Sequence, residues 1–431
     1  MIESLEELRL WVAGRRKSVS VSIKPCELYD IKDWTYGDNI THVSGKFFQI
    51  QGFQGLIEGI HFKKKFNLPL IVQPEIGVLG ILQAYVEGKR YFLLQTKIEP
   101  GNIGIVQISP TLQATRSNIL RAHGGQTPKF LDKFSDETFG DLLFDQILTE
   151  QGERFLSKHN RNIVKNCEMF CVDDEDFAWV SETALRDAIQ MDNLVNMDTR
   201  SVYCAINLAK HRHIAKKKPP QVQSVESVMR KIVSARSNFV KYIKSVPLSE
   251  LVEWKIGSLA ITSENHDFQV SAYNIEIENR ETKSWSQPMI KAVRGYRYSL
   301  LVNSQRGKET RVLCELSVQP GNLMNVELGP SLSNAPFFGA DKDQRIVNEL
   351  CSYVETCRTS HENVRAVYQS EEGGRFFHDS NLNEIVHVDN ETYNKFLNID
   401  GFIWISLNNL SKLIRSGPYL NVELRSLISM L

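Results

Sequence analysis

The residues of this chain with the most chemical potential lie between positions 73 and 162. The densest stretch is Ser109-Pro-Thr-Leu-Gln-Ala-Thr-Arg-Ser-Asn118, in which only Leu112 and Ala114 are aliphatic. A half-buried strand would alternate apolar and polar residues, and this stretch does not. It reads either as a polar surface loop or as a pocket wall that grips a polyhydroxylated ligand. Arg116 adds a planar fork suited to a phosphate. Glu99 stands upstream as a possible base. Downstream, His123 precedes Gly124-Gly125. An imidazole titrates near neutrality and suits proton transfer, though a loop histidine is the equal alternative.

The chain contains its own control, because these motifs recur in altered form. Gln73-Pro74 returns as Gln287-Pro288, and Pro100-Gly-Asn102 as Pro320-Gly-Asn322. Glu150-Gln-Gly-Glu-Arg-Phe155 returns as Glu371-Glu-Gly-Gly-Arg-Phe376, and Phe177-Ala-Trp179 as Phe402-Ile-Trp404. Trp34 and Trp254 pair near the starts of the two copies. A period of roughly 200 residues is far beyond the ~20–50 of solenoid units, so this is a duplicated domain. The differences carry the functional reading. Glu99 becomes Gln319, which keeps the shape but cannot act as a base. Glu75 becomes Met289. Asn160-Arg161-Asn162 becomes Asn381-Leu382-Asn383, and the polar decapeptide loses its glutamine and arginine. The first copy is therefore expected to be the working one. Asn196-Met-Asp-Thr-Arg200 becomes Asn421-Val-Glu-Leu-Arg425, which keeps both charges and suggests an acid–arginine contact inside each copy.

The elements that would hold these residues form an α+β pattern, each copy a mixed sheet with flanking helices. Ile81 to Ile98 alternates around Gly88-Lys89 and predicts a β-hairpin. Ile103–Ile108 predicts a further strand. Ser135 is a plausible cap for a helix carrying Phe139, Leu142, Leu143 and Ile147. Ser181–Met191 and Ser406–Arg415 predict short helices. Ser4 and Glu7 have capping-box spacing, with Leu5, Leu8 and Trp11 on one helical face. The expected domains are 1–212 and 241–431, joined by a linker at 213–240. The basic run Lys216-Lys-Lys218 lacks interleaved aromatics and reads as solvated linker.

Of the 431 residues, 51 are Lys or Arg and 51 are Asp or Glu, for zero formal net charge. Such a chain has no global field for nucleic acid or an acidic membrane. No apolar run approaches a membrane span, and the first residues do not resemble a signal peptide. The seven cysteines are scattered and without a C-x-x-C, so free thiols in a reducing cytoplasm are expected, with no metal site. Nucleotide-binding glycine motifs, a nucleophile elbow and H-E-x-x-H are absent.

Gln-Pro-Glu-Ile-Gly-x-Leu-Gly (73–80), Glu-Pro-Gly-Asn (99–102), the decapeptide 109–118, Glu-Gln-Gly-x-x-Phe (150–155), Asn-Arg-Asn (160–162) and Asn-Leu-Val-Asn-Met-Asp-Thr-Arg (193–200) together resemble the NDP-hexose 2,3-dehydratase family. The resemblance covers nearly the whole chain, with departures at His159 and Ile119. It implies two Nudix-like modules, although no glutamate-rich Nudix box is present. It also implies a homodimer and a dTDP-4-keto-6-deoxyhexose substrate, with no cofactor. Such an elimination needs a base, oxyanion donors and an acid for the leaving hydroxyl. Under this reading Glu99 or His123 is the base and the other the acid. Arg116, Gln113 and Asn118 contact the sugar or its oxyanion, Arg161 and Lys97 hold the diphosphate, and Trp34 stacks on thymine or belongs to the core. Gln73, Glu75 and Thr115 complete the substrate-binding set. Two rivals remain: a non-catalytic sugar-nucleotide binder, and another deoxysugar-pathway enzyme on the same scaffold.

Overall fold

The structure, a computed structural model, describes residues 1–59, 62–120, 126–213, 224–278, 282–304, 309–339 and 342–431. The chain opens with helix α1 (Leu5–Lys17), where the Ser4 side chain accepts from the Glu7 N–H and Leu8 and Val12 are buried. The Glu7 carboxylate reaches back to the Glu3 N–H, so the cap closes one residue earlier than the capping-box spacing implies. Strands β1 (Val21–Cys26), β2 (Trp34–Tyr36), β3 (Ile40–His42), β4 (Gln49–Glu58) and β5 (Lys63–Val72) follow. Next come β6 (Gly77–Val86), β7 (Lys89–Ile98), β8 (Val106–Pro110), β9 (Leu112–Ala114) and the short helices α2 (Arg116–Ile119) and α3 (Leu131–Ser135). The first repeat ends with β10 (Asp141–Thr149), β11 (Phe155–Leu156), β12 (His159–Asn166), β13 (Phe177–Ser181), α4 (Glu182–Ile189) and α5 (Met197–Ala209). Helix α6 (Val225–Asn238) and β14 (Val240–Val246) open the second.

The expected hairpin is β6–β7, paired antiparallel down to Val86 and Lys89. Glu87 and Gly88 both take positive φ, 50° and 77°, as a tight hairpin turn with right-handed strand twist demands. The two expected short helices form as α4 and Leu407–Leu413, and Ser181 and Ser406 cap them. Two of the expected elements fail. The strand expected from Ile103 begins only at Val106. The Asn102 side-chain amide donates to the Ile105 carbonyl at 3.1 Å, and Ile105 has φ 69°, so 103–105 form a turn. The helix expected from Ser135 ends there, and Asp141–Thr149 is a strand paired with β12. Phe144 and Leu148 are its buried apolar residues. A spacing of four serves a helix face and a strand face equally, and pairing with β12 decides between them.

Each repeat builds two sheets. In the first, one runs β10-β12-β6-β7-β13 with β8 and β9 added on β7 and β6, and the other runs β11-β5-β4-β3-β2. The repeats exchange their first strands. β1 pairs antiparallel with Phe268–Ile277 of the second repeat, and β14 pairs with β4 of the first. Helix α6 lies inside the stretch expected to be linker. Ser224 caps it as Ser4 caps α1, and its Val228 and Ile232 are fully buried. The second repeat thus starts with its own counterpart of α1.

One apolar core runs through both repeats, joining Val202, Tyr203 and Leu208 of α5 to Leu424, Leu427 and Ile428 of the helix Val422–Ser429. Arg200 and Arg425 are buried across this junction, correcting the expected contact within each copy. Arg200 donates to the Ser370 carbonyl and Ser426 Oγ, while Arg425 donates to the Thr149 carbonyl and Ser201 Oγ. A buried guanidinium left without acceptors would cost several kcal/mol, so this reciprocal pair locks one repeat onto the other.

Candidate functional site

The turn after β7 places Glu99 at the centre of the site, 5% exposed. Its Oε1 accepts from Gln113 Nε2 at 3.1 Å and lies 3.5 Å from Lys97 Nζ. Its Oε2 is buried without a hydrogen-bond partner. Gln113 is held from the other side, since Asn196 Nδ2 donates to Gln113 Oε1 at 3.1 Å. Asn196 also caps α5 by accepting from the Thr199 N–H at 2.9 Å. The helix cap therefore fixes Asn196, which fixes the Gln113 amide so that its N–H faces Glu99. Lys97 Nζ donates to the Gln113 carbonyl as well, at 3.2 Å.

A second group lies beyond this pair. Glu75 accepts from Gln73 Nε2 at 2.8 Å, from the Ser117 N–H at 2.9 Å and from Ser117 Oγ at 3.3 Å. It is well supplied with donors, and it pins the start of α2 to the end of β5. Thr115 caps α2, its Oγ1 accepting from the Asn118 N–H and sharing a hydrogen bond with Ser117 Oγ. Exposure rises along the decapeptide from buried Ser109 and Thr111 to exposed Arg116 and Asn118. Thr111 is scaffold. Its Oγ1 donates to the Leu93 carbonyl and accepts from the Leu82 N–H, and Ser331 makes the same two bonds to Leu313 and Leu301 in the second repeat. The first half of the stretch thus serves the sheet, and Gln113 and Arg116 of its second half are the residues that become Ser333 and Pro336 in the second repeat.

Arg161 is not brought to Glu99. Its guanidinium makes a two-pronged ion pair with Asp145, at 2.7 and 2.5 Å. Alternation along β12 puts it on the face opposite Asn160 and Asn162, whose side chains contact Glu150 and Ser201. Trp34 is partly buried. Its indole N–H donates to the Ser286 carbonyl at 2.7 Å, and its ring tilts on Phe48 at 5.1 Å. His123 lies outside the described residues.

Five residues of this neighbourhood escaped the sequence reading: Glu150, Lys158, Asp198, Glu372 and Arg375. Lys158 donates to the Glu75 carbonyl, and burial pulls its ammonium down to about 8 against the opposing charge of Glu150. Burial also raises the Glu150 carboxyl. Asp198, in the first turn of α5, is held well above the usual carboxylate range by burial and by Glu150, Glu372 and Glu99. Arg375 comes from the second repeat; its Nε donates to Gln73 Oε1 at 3.3 Å and its guanidinium covers Phe48 at 4.3 Å. For Glu150, Glu372 and Arg375 the missed signal was the Glu150–Phe155 motif and its copy 371–376, read as a marker of duplication and not as chemistry, while Asp198 was read as a partner of Arg200. Among the described residues, no group of three or more His, Cys, Asp or Glu could hold a metal ion. A buried carboxylate with a bare oxygen, flanked by a lysine and an oriented amide, can accept a proton and stabilise the charge that forms.

A family model described as NDP-hexose 2,3-dehydratase matches residues 5–206 and again 226–431. The chain belongs to the NDP-hexose 2,3-dehydratase family. It is similar to the dTDP-4-dehydro-6-deoxy-alpha-D-glucopyranose 2,3-dehydratase of Amycolatopsis orientalis, with 31% identity over 98% of this chain and 89% of that one. Proteins of the same name from Saccharopolyspora spinosa (31%, covering 99% and 90%) and Streptomyces violaceoruber (30%, covering 97% and 95%) align as fully. The two matches of the dehydratase family model coincide with the duplicated halves, and the second begins within α6, at the structural start of the second repeat.

Proposed function

We propose that this dehydratase-family chain removes the carbon-2 hydroxyl of a dTDP-4-keto-6-deoxyhexose, working in its first repeat. Glu99 carries the reading: it is buried, has one oxygen without a partner, and becomes glutamine in the second repeat. The 4-keto group acidifies the proton on carbon 3, and Glu99 accepts it. The enolate expels the carbon-2 hydroxyl, and the enol tautomerises to a 3,4-diketo-2,6-dideoxy sugar. The sequence is redox-neutral, so its chemistry calls for no electron carrier. The Gln113 amide and Lys97 stabilise developing negative charge, and Arg116, at the exposed end of the wall, meets the diphosphate. Trp34, whose ring packs on Phe48, would flank the nucleotide base.

Two copies of the chain are part of the same reading. Leu142, Leu143 and Ile147 are exposed on the edge strand β10, where an apolar edge invites a partner. The free cysteines fit a reducing compartment such as the cytoplasm.

The test is incubation with dTDP-4-keto-6-deoxyglucose in deuterated buffer, followed by NMR of the sugar. Loss of the carbon-2 hydroxyl with deuterium at carbon 2 is the expected result, together with a fall of about 100-fold or more in Glu99→Gln. An unchanged sugar would sink the proposal, and full activity of Glu99→Gln would sink the role of Glu99.

A further inference from the structure

We propose that Glu372, from the second repeat, completes the first repeat's site as the proton donor that partners Glu99. This rests on the dehydration reading above and adds a residue from the other half of the chain.

The geometry begins with backbone. The Gly101 N–H donates to the Gly373 carbonyl at 2.7 Å, and the His378 N–H donates to the Gly101 carbonyl at 2.9 Å. The loop 371–376 is thereby docked on the Glu99–Asn102 turn. So close is the approach that a Cβ on Gly101 would lie 1.7 Å from the Phe376 carbonyl oxygen. Beside this contact, Arg375 reaches Gln73, the donor to Glu75. Glu372 itself is fixed by the Gly374 N–H, which donates to its Oε1 at 2.9 Å. The charged groups facing it are Glu99, Arg375 and Lys97, with Lys158 and Asp198 beyond.

The pseudo-symmetry of the chain supplies the comparison. Gly321 docks on Gly152 through the same N–H to carbonyl bond, at 2.6 Å. There the residues matching Glu99 and Glu372 are Gln319 and Gln151. Gln319 Oε1 accepts from the Gly152 N–H at 3.0 Å, and its Nε2 donates to Glu423 at 3.0 Å. So the scaffold accepts an amide at both positions. Two carboxyls from different repeats coincide at one junction, and two amides at the other. Packing has no need of the carboxyl pair, which is costly to bury, whereas an elimination needs both a base and an acid.

Two adjacent carboxyls cannot both ionise easily, so one keeps a proton. Burial and the neighbouring Glu99 push the Glu372 carboxyl up to about 7, so it can hold a proton far above the usual carboxylate range. Glu99 takes the proton from carbon 3, and the electron pair becomes the enolate. As the carbon 2–oxygen bond breaks, Glu372 gives its proton to the departing oxygen, which leaves as water. Glu372 ends as carboxylate and Glu99 as acid, and exchange with solvent resets both.

The experiment uses the full chain with dTDP-4-keto-6-deoxyglucose in deuterated buffer, comparing wild type, Glu372→Gln and Glu372→Asp. Glu372→Gln is expected to bind the sugar nucleotide and wash deuterium into carbon 3, while elimination falls about 100-fold or more. Glu372→Asp should recover part of the rate with a displaced basic limb in its kcat–pH profile. Near-normal elimination by Glu372→Gln would overturn the proposal, as would equal loss of exchange and elimination. If Glu372→Gln fails to fold, an unaltered pH profile in Glu372→Asp overturns it. An inert wild type would sink the dehydration reading itself; an active wild type with an unaffected Glu372→Gln sinks this inference alone.

Discussion

At the scale of single residues, position separates two arginines that look alike in sequence. Arg116 stands exposed at the end of the polar wall, while Arg161 is engaged by Asp145 on the opposite face of its sheet. Arg116→Ala is expected to weaken dTDP binding about tenfold, the size of one charge-assisted contact. Arg161→Ala should leave binding within about twofold and cost under about 1 kcal/mol of stability, as a part-exposed ion pair does. Titration calorimetry with dTDP checks both, and the reverse order would refute the placement. Glu423 offers a second residue-scale prediction. Burial pushes its carboxyl up to about 8 from an ordinary 4.5. Between those values the folded chain retains a proton that the unfolded chain has lost. Stability therefore falls as pH rises through this window, on the order of 1 kcal/mol per pH unit. Glu423→Gln has no such dependence, so its stability advantage in denaturant titrations should widen from pH 5 to pH 8. A constant gap would show that Glu423 is not the group responsible.

At the scale of elements, the site depends on a loop meeting a turn. Gly101 touches the 371–376 loop, so Gly101→Ala must force the two apart. Expected are a stability loss above about 2 kcal/mol, the range of a steric clash in a packed interior, and a loss of elimination beyond what instability explains. Gly88→Ala is the control. Its φ of 77° makes alanine strained, at about 1 kcal/mol, but no atom lies near the added Cβ. Thermal melts and turnover measured together separate the cases, and equal activity loss in both would remove the special role of the Gly101 junction. Much of this scale was legible beforehand. The β6–β7 hairpin, α1, α4 and the helix Leu407–Leu413 have local causes, namely alternation, a tight turn or a serine cap. β10 was misread because Leu143 and Ile147, four apart, fit a helix face and a strand face alike, and only pairing with β12 shows that they lie on the exposed face.

At the scale of the whole molecule, the two repeats are not separable beads. Each lends its first strand to the other, and each buries an arginine against the other's backbone. Residues 1–213 or 224–431 expressed alone should be insoluble, since each would expose an unpaired sheet edge and an orphaned guanidinium. Expressed together, they should elute as one complex with dTDP affinity near that of the intact chain. A soluble, cooperatively melting single half would contradict the interlocked architecture.

The sequence alone determined the duplication and the α+β pattern, and it singled out Glu99 and Gln113 as residues that change between the copies. Those follow from composition, period and comparison of one half with the other, which need no coordinates. It also showed that Glu99 changes to an amide between copies, yet Gln151 changing to Glu372 in the opposite sense went unread. Only the tertiary structure decided that these two changes meet at one place. The reason is physical: the strand exchange and the glycine-to-glycine docking are contacts between residues far apart along the chain. No local preference encodes them, so the meeting of Glu99 with the 371–376 loop emerges only when both halves are packed together.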